Sequence, residues 1–424
     1  MTKSLYSVPQ TALLSFNPGI SKSVEQETQH LLTQFFLKTK YAEVLAPHSS
    51  TELELSKVSL YSLVEVLMRS QTLQDLRLQI AAEDVYLESA FRKFCEQIPW
   101  ETFLARKTAI HLRVKSVGSR LFHESMLRDI LADRLAKQLD IKTVKKDTSE
   151  KALTTVFAEL QKNRCTLSLS LAGEPLYQRG FRESSGAIAP LREDLAQACL
   201  REALAFCHKQ DEDFTVHNLW VPFGGTGTFV FEYLMLDLNL APCILGRSYA
   251  LEQLAFFNAK NFNFIQSKAR AAMVPGKLKK IFYSDYAQKA CEIFEKNHAN
   301  FKERIQNTSA PESLNSLSLN IFNENFFAGT RPDFADEDVF LPINPPYGIR
   351  LHASSEIAPF YAKIARQVLD AKSLGAQRKF GGFILCPSEE AWSAFLKGLA
   401  PHAKTTTSHI TQGGLDIRVC SFMI

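Results

Sequence analysis

The second half of the chain repeats one rhythm. Apolar runs FTVHNLWV, KKIFYSD, LSLNIFN, DVFLPI and GGFILC recur there, with helical stretches between several of them. Strands alternating with helices imply a parallel sheet, because a parallel neighbour is reached only through a crossover. Ligands of such sheets bind at the carboxyl ends of the strands. Two unusual stretches fall at such ends: the glycine-rich VPFGGTGTF, residues 221–229, and NPPYG, which starts at Asn344. Both would then face one crevice.

The first half has another character. SVEQETQHLLTQFFLK places Leu31, Leu32, Phe35 and Phe36 at helical spacing, and TAIHLRVKS alternates like a half-buried strand. From Ser125 to Leu139 the spacing of Met126, Leu127, Ile130, Leu131 and Leu135 is helical again. A strand, CTLSLSLAG, runs into EPLYQRGFRESSGAIAPLREDLA, which reads as a linker opening a helix near Pro190. At 424 residues the chain is long enough for two or three domains.

Composition narrows the function classes. With 46% hydrophobic and 22% charged residues the chain is globular, not disordered. Its eight cysteines are scattered without a CxxC pair, and HExxH is absent. That pattern points away from a zinc site or disulfide framework and towards buried thiols. The N-terminal stretch lacks an apolar h-region and no run is long enough to span a bilayer, so the expectation is a cytoplasmic protein without membrane or metal partners. Charge is uneven. Residues Pro99 to Arg182 hold 16 Lys+Arg against 9 Asp+Glu, or +7, so a net +4 leaves 4 − 7 = −3 for the rest. A basic segment on a mildly acidic remainder suggests a part that meets a polyanion; a solvated charged surface is the other reading.

Each motif admits a chemical and a structural reading. Gly224, Gly225 and Gly227 let a ligand approach the backbone, and the helix that follows offers free N–H groups for an anion; a plain tight turn reads the same way. Asp285 ends a strand and precedes a helix, where it can hold a ribose diol or act as an N-cap. At the corner Asn344-Pro345-Pro346-Tyr347, two prolines fix two φ angles and push Asn344 towards an extended conformation. An exocyclic amine on a base is a poor nucleophile, because its lone pair is delocalised into the ring. The Asn344 side-chain oxygen and the Pro345 carbonyl could accept its two N–H groups, with Tyr347 stacked on an extruded base. Positioning and polarisation then carry the rate. A rigid corner with a packing tyrosine is the alternative.

These residues resemble a family. INPPYGIR is similar to motif IV of S-adenosylmethionine-dependent amino-nitrogen methyltransferases. Residues 171–200, LAGEPLYQRGFR…APLREDLAQACL, resemble the junction of THUMP-domain guanine methyltransferases acting on RNA. IPWETF through LADRLAKQL resembles the THUMP domain, NLAPCILGRSYALEQLAFF an insert of the group, and GGLDIRVCSF its last strand. The resemblance implies an α/β chain with three domains. They are a ferredoxin-like domain (1–70), a THUMP α+β domain (71–175), and a linker with a C-terminal Rossmann-like methyltransferase domain (176–424). It implies S-adenosylmethionine as cofactor, held by Pro190, Pro222, Gly224, Gly225, Thr226, Gly227, Thr228, Asp285 and Asn325. Asn344, Pro345, Pro346 and Tyr347 would hold the guanine, and Arg113, Lys115, Arg120, Arg179 and Arg182 would contact RNA, ribosomal or transfer. DNA adenine methylation, or RNA binding without catalysis, are the rival expectations. The chain departs from the family pattern at Val221 and Gly224, where Asp and Cys are usual, and at Ala287 and Asn325, where carboxylates are.

Overall fold

The computed structural model describes the chain apart from residues 1–4, 37–40, 145–153, 183–189, 307–315, 329–331, 347–355 and 374–377. Two compact units emerge. The first comprises Met1–Phe16, Val24–Gly180 and Arg247–Lys268; the second comprises Asn17–Ser23, Phe181–Gly246 and Ala269–Ile424.

The first unit is built on an eight-stranded sheet in the order β2-β3-β1-β4-β8-β7-β5-β6. Strands β1 (Gln10–Ser15), β2 (Val44–Ser49), β3 (Glu52–Val58) and β4 (Asp75–Asp84), with helices α1 (Ser21–Thr33) and α2 (Leu60–Arg69), follow the βαββαβ order of a ferredoxin-like fold. Antiparallel pairing of β4 with β8 (Arg164–Ser170) extends the same sheet into β7 (Thr155–Gln161), β5 (Ala109–Val117) and β6 (Lys142–Thr143). Along β5, Ile110 and Val114 are buried while Arg113 and Lys115 are exposed, the alternation read from TAIHLRVKS. Helices α3 (Glu88–Gln97) and α4 (Glu124–Leu139) complete this half.

Helix α1 is shorter than its apolar spacing suggests. It ends at Thr33, leaving Phe35 and Phe36 outside. The Phe36 N–H donates to both Glu65 carboxylate oxygens at 3.1 Å, and the Arg69 guanidinium lies 4.4 Å from its ring. These tertiary partners outweigh the helical pattern.

The second unit carries a seven-stranded sheet in the order β11-β10-β9-β12-β13-β15-β14. Strands β9 (Asn218–Val221), β10 (Lys280–Asp285), β11 (Ser318–Asn323), β12 (Val339–Ile343) and β13 (Phe380–Cys386) pair in parallel. All residues of β9, β12 and β13 are buried, as in a sheet covered on both faces. Helices α5 (Glu193–Gln210), α6 (Thr228–Asp237), α8 (Gln288–Gln306), α9 (Ile357–Ser373) and α10 (Glu389–Leu399) alternate with the strands, while most of α7 (Ala259–Ala271) falls in the first unit. An antiparallel hairpin, β14 (Lys404–Gln412) and β15 (Leu415–Met423), closes one edge through Gly413-Gly414, both at positive φ. Strand β9 is only the second half of FTVHNLWV. Thr215 is held off the sheet, where its N–H donates to the Asp338 carboxylate at 3.1 Å.

Segment Arg247–Lys268 packs with the first unit, whereas the expected boundaries group it with residues 176–424. Arg247 anchors it. This buried guanidinium donates to the carbonyls of Ala172, Glu174, Pro175 and Gln178 at 2.8–3.3 Å. Arg247→Met keeps the aliphatic bulk but strips that donor from four buried or half-buried carbonyls. Urea unfolding should show a loss of about 3 kcal/mol; an unchanged midpoint would mean that the loop 172–178 is held by other contacts.

Candidate active site

Strand order reverses between β9 and β12. From β9 the chain proceeds through β10 and β11 on one side, and through β12 and β13 on the other. The two strands pair in parallel, Val339 opposite Asn218 and Phe340 opposite Leu219, so both carboxyl ends point the same way. The glycine turn leaves β9 and Asn344-Pro345-Pro346 leaves β12, at the topological switch point of the sheet.

The three glycines of the turn have different reasons to be glycine. A Cβ on Gly224 would lie 2.2 Å from Cε2 of Tyr283, and one on Gly227 would lie 2.3 Å from Cδ2 of Phe294. Those two rings stack at 3.9 Å between centroids, nearly parallel. Gly224 and Gly227 therefore serve packing. Burial pushes the Tyr283 phenol up, so it stays a neutral donor, and its O–H donates to the Gly225 carbonyl at 2.5 Å. Gly225 differs. It sits at φ +54°, and a Cβ there would meet nothing within 4 Å. The backbone at Gly225 is open to a ligand.

Asp285 accepts backbone N–H groups on both carboxylate oxygens. Its Oδ2 accepts the Gly225 N–H at 2.8 Å, and its Oδ1 accepts the Ala287 N–H at 2.9 Å ahead of α8. It ties β10 to the glycine turn while capping the bend into the helix. Each carboxylate oxygen has a further lone-pair direction. Asn325 is exposed, and its Oδ1 accepts the Phe327 N–H at 2.9 Å, a bond that a carboxylate would also accept. Pro222 is buried, and Pro190 is half-buried beside Leu191, whose carbonyl accepts from the Thr228 hydroxyl at 3.4 Å. Asn344 and Pro346 are half-buried and Pro345 is buried; Tyr347 lies outside the described residues.

Two arginines expected to meet RNA stand elsewhere. Arg179 is 1% exposed and donates to the carbonyls of Leu176 at 3.0 Å and Gln71 at 2.6 Å. Such a position braces the backbone and offers phosphate nothing. Arg182 reaches the start of α6. It donates to the hydroxyls of Thr226 and Thr228 and pairs with Glu193, each side chain 11% exposed. RGFR reads as a basic surface run because, apart from the Leu176 carbonyl three residues before Arg179, its partners lie 11 to 108 residues away. Arg113, Lys115 and Arg120 are exposed, and the first two line a concavity of about 1880 Å³ over the first unit's sheet.

One feature escaped the sequence reading. Phe223, at φ +55°, packs its ring 5.2 Å from Phe326, 6.4 Å from Phe327 and 6.2 Å from Phe360 of α9. The Lys363 ammonium lies 4.4 Å from the Phe327 ring. This aromatic wall joins the ends of β9 and β11 to the helix after β12. The signal was there in the doublet of NENFF, but a doublet does not say which ring faces where.

The eight cysteines are all free and buried. Among the described residues no helix is long and apolar enough to cross a membrane.

Residues 88–170 match the THUMP domain family. The chain is 26% identical over 281 residues to the ribosomal RNA large subunit methyltransferase K/L of Legionella pneumophila (strain Philadelphia 1), covering 65% of this chain and 36% of that protein. It is 26% identical over 321 residues to the protein of the same name from Dichelobacter nodosus, covering 73% of this chain and 40% of that one. The chain thus spans little more than a third of the length of these relatives. Among solved structures, a possible methylase from Clostridium difficile 630 superposes with a TM-score of 0.72 at 17% identity, over 98% of both chains. TrmN from Thermus thermophilus superposes with a TM-score of 0.60 at 15% identity, over 97% of this chain and 99% of that one. The THUMP domain and the methyltransferase fold are therefore present.

A double-mutant cycle tests the packing account of the turn. Gly224→Ala should cost about 2 kcal/mol by overpacking against Tyr283. In a Tyr283→Ala background the same change should cost measurably less, with coupling above about 0.5 kcal/mol. Additive losses in urea unfolding would sink the account.

Proposed function

We propose that the chain transfers a methyl group from S-adenosylmethionine to the exocyclic amine of a guanine in ribosomal RNA. The observation that carries this reading is the placing of Asn344-Pro345-Pro346 and the open Gly225 at the carboxyl ends of adjacent parallel strands, β12 and β9. The sequence relationship to large-subunit ribosomal RNA methyltransferases and the THUMP domain support the substrate class.

The residues present fit the cofactor. Gly225 leaves space where a side chain would otherwise intrude, and Asp285 keeps acceptor capacity beyond its two backbone bonds for ribose hydroxyls. The N-terminus of α6 and the Arg182 guanidinium favour an anionic group at the turn. When bound, the cofactor supplies a methyl on a positively charged sulfur. The chain's task is to present the amine. The Asn344 side-chain oxygen and the Pro345 carbonyl accept the amino N–H groups, which raises electron density on nitrogen and fixes its direction. Prolines at 345 and 346 hold those acceptors in place with little entropy left to lose. The amine exchanges one proton for the methyl, and the proton passes to solvent.

Val221, Ala287 and Asn325 stand where related sites carry Asp, Asp or Glu, which favours a second reading: a THUMP protein that grips RNA without methylating it. Calorimetric titration with S-adenosylhomocysteine separates the two. Dissociation in the micromolar range, about −8 kcal/mol, goes with the enzyme; millimolar or absent binding goes with the grip alone. For the enzyme, Asn344→Ala should lower methyl transfer to RNA by about a hundredfold or more while RNA and cofactor affinities hold. Counting labelled methyl groups in ribosomal RNA, transfer RNA and duplex DNA assigns the substrate, and full turnover by the Asn344→Ala chain would refute the role given to that corner.

A further inference from the structure

The end of β11 is drawn in against the end of β10. Asp285 pairs with Asn323 in the parallel register. Beyond that pair the Asn323 amide donates to the carbonyls of Asp285 at 3.0 Å and Tyr286 at 3.1 Å, and the Glu324 N–H donates to the Asp285 carbonyl at 3.1 Å. Asn325 therefore stands two residues past the partner of Asp285, on a loop tied to that strand end. Strand β10 has β9 on its other side. A ligand whose anionic end meets the turn after β9 and whose ribose meets Asp285 must carry its base onward, towards β11. The groups waiting there are the exposed Asn325, Tyr286 at 74% exposure and the half-buried ring of Phe327.

The Asn325 amide has one orientation open to it. Its Oδ1 accepts the Phe327 N–H at 2.9 Å while its backbone carbonyl accepts the Ala328 N–H at 3.0 Å, the paired bonds of an Asx turn. Turned over, the amide would set Nδ2 against the Phe327 N–H, donor facing donor. The turn thus directs Oδ1 into the loop and leaves the two Nδ2 hydrogens outward, where they meet no acceptor among the described residues.

A carboxylate in the same place would keep the bond to Phe327 and turn a second acceptor outward. An outward acceptor selects a base edge that donates, such as the exocyclic amine of adenine. The amide reverses that demand: Nδ2 donates, and its complement on the base is an acceptor, a purine ring nitrogen. We infer that Asn325 sets the base specificity of the cofactor site, holding the purine by a ring nitrogen, with the base stacked on Tyr286 and its 6-amino group no longer read. The inference rests on the reading that the chain binds S-adenosylmethionine and deepens it: exchanging carboxylate for amide changes what the site recognises and leaves the site in being.

The test is calorimetric titration of the full chain with S-adenosylhomocysteine and with its 6-desamino analogue, in which hydrogen replaces the amine and every ring nitrogen is kept. The unaltered chain should bind the two within about threefold of each other. Asn325→Asp keeps the acceptor for the Phe327 N–H, so the melting temperature should hold, yet this variant should favour the amine-bearing ligand by about tenfold or more. Tyr286→Ala should weaken both ligands alike, by about tenfold, because stacking does not read the amine. A preference for the amine in the unaltered chain as large as that of Asn325→Asp overturns the inference. An Asn325→Asp chain that treats the two ligands alike overturns it too, and unchanged affinities in Tyr286→Ala overturn the placing of the base. If the unaltered chain binds neither ligand, the cofactor reading itself has failed, which is a distinguishable result.

Discussion

Everything at the candidate site follows from the parallel pairing of β9 with β12. A strand four residues long sits third in a seven-stranded sheet and faces β10 on one side and β12 on the other. Its neighbours leave in opposite directions along the sheet, so no crossover helix covers the gap above their ends. The sheet core makes this geometry stiff, since every residue of β9, β12 and β13 is buried. The Asn344-Pro345-Pro346 corner and an open glycine backbone are thereby set side by side without either loop having to define the distance alone.

Around that frame the glycine turn is held from below. The Tyr283 ring lies against Gly224, its hydroxyl bonds the Gly225 carbonyl, and Asp285 takes the Gly225 N–H. Packing aromatic area under a loop stabilises it through burial, while the hydrogen bonds choose one backbone conformation. The departures at Val221 and Gly224 read differently in this light. Gly224 gives room to the stacked Tyr283–Phe294 pair, and Val221 ends a wholly buried strand.

Much of the fold was legible in the residues. The alternation of strand and helix, the glycine turn and the double proline are local signals, and local signals survive in a linear string. What was not legible is tertiary. RGFR looks like a phosphate contact, yet Arg179 is spent on backbone carbonyls and Arg182 on the threonines of the turn, because burial depends on chain segments far away in sequence. Phe35 and Phe36 fit a helical stripe, yet Glu65 and Arg69 draw Phe36 out of it. The wall of Phe223, Phe326, Phe327 and Phe360 was invisible for the same reason: four rings from two loops and a helix share no spacing.

The return of Arg247–Lys268 to the first unit bears on how the chain is made. After Gly180, 246 − 180 = 66 residues of the second unit leave the ribosome before the segment that completes the first. Domains of multidomain chains generally fold in turn during synthesis. Here the N-terminal unit must wait, with the loop 172–178 still missing its guanidinium partner, until β9 and α6 of its neighbour have already emerged. Vectorial order and structural order are thus interleaved: the first unit is complete only at Lys268, with Ala269–Ile424 of the second still to come.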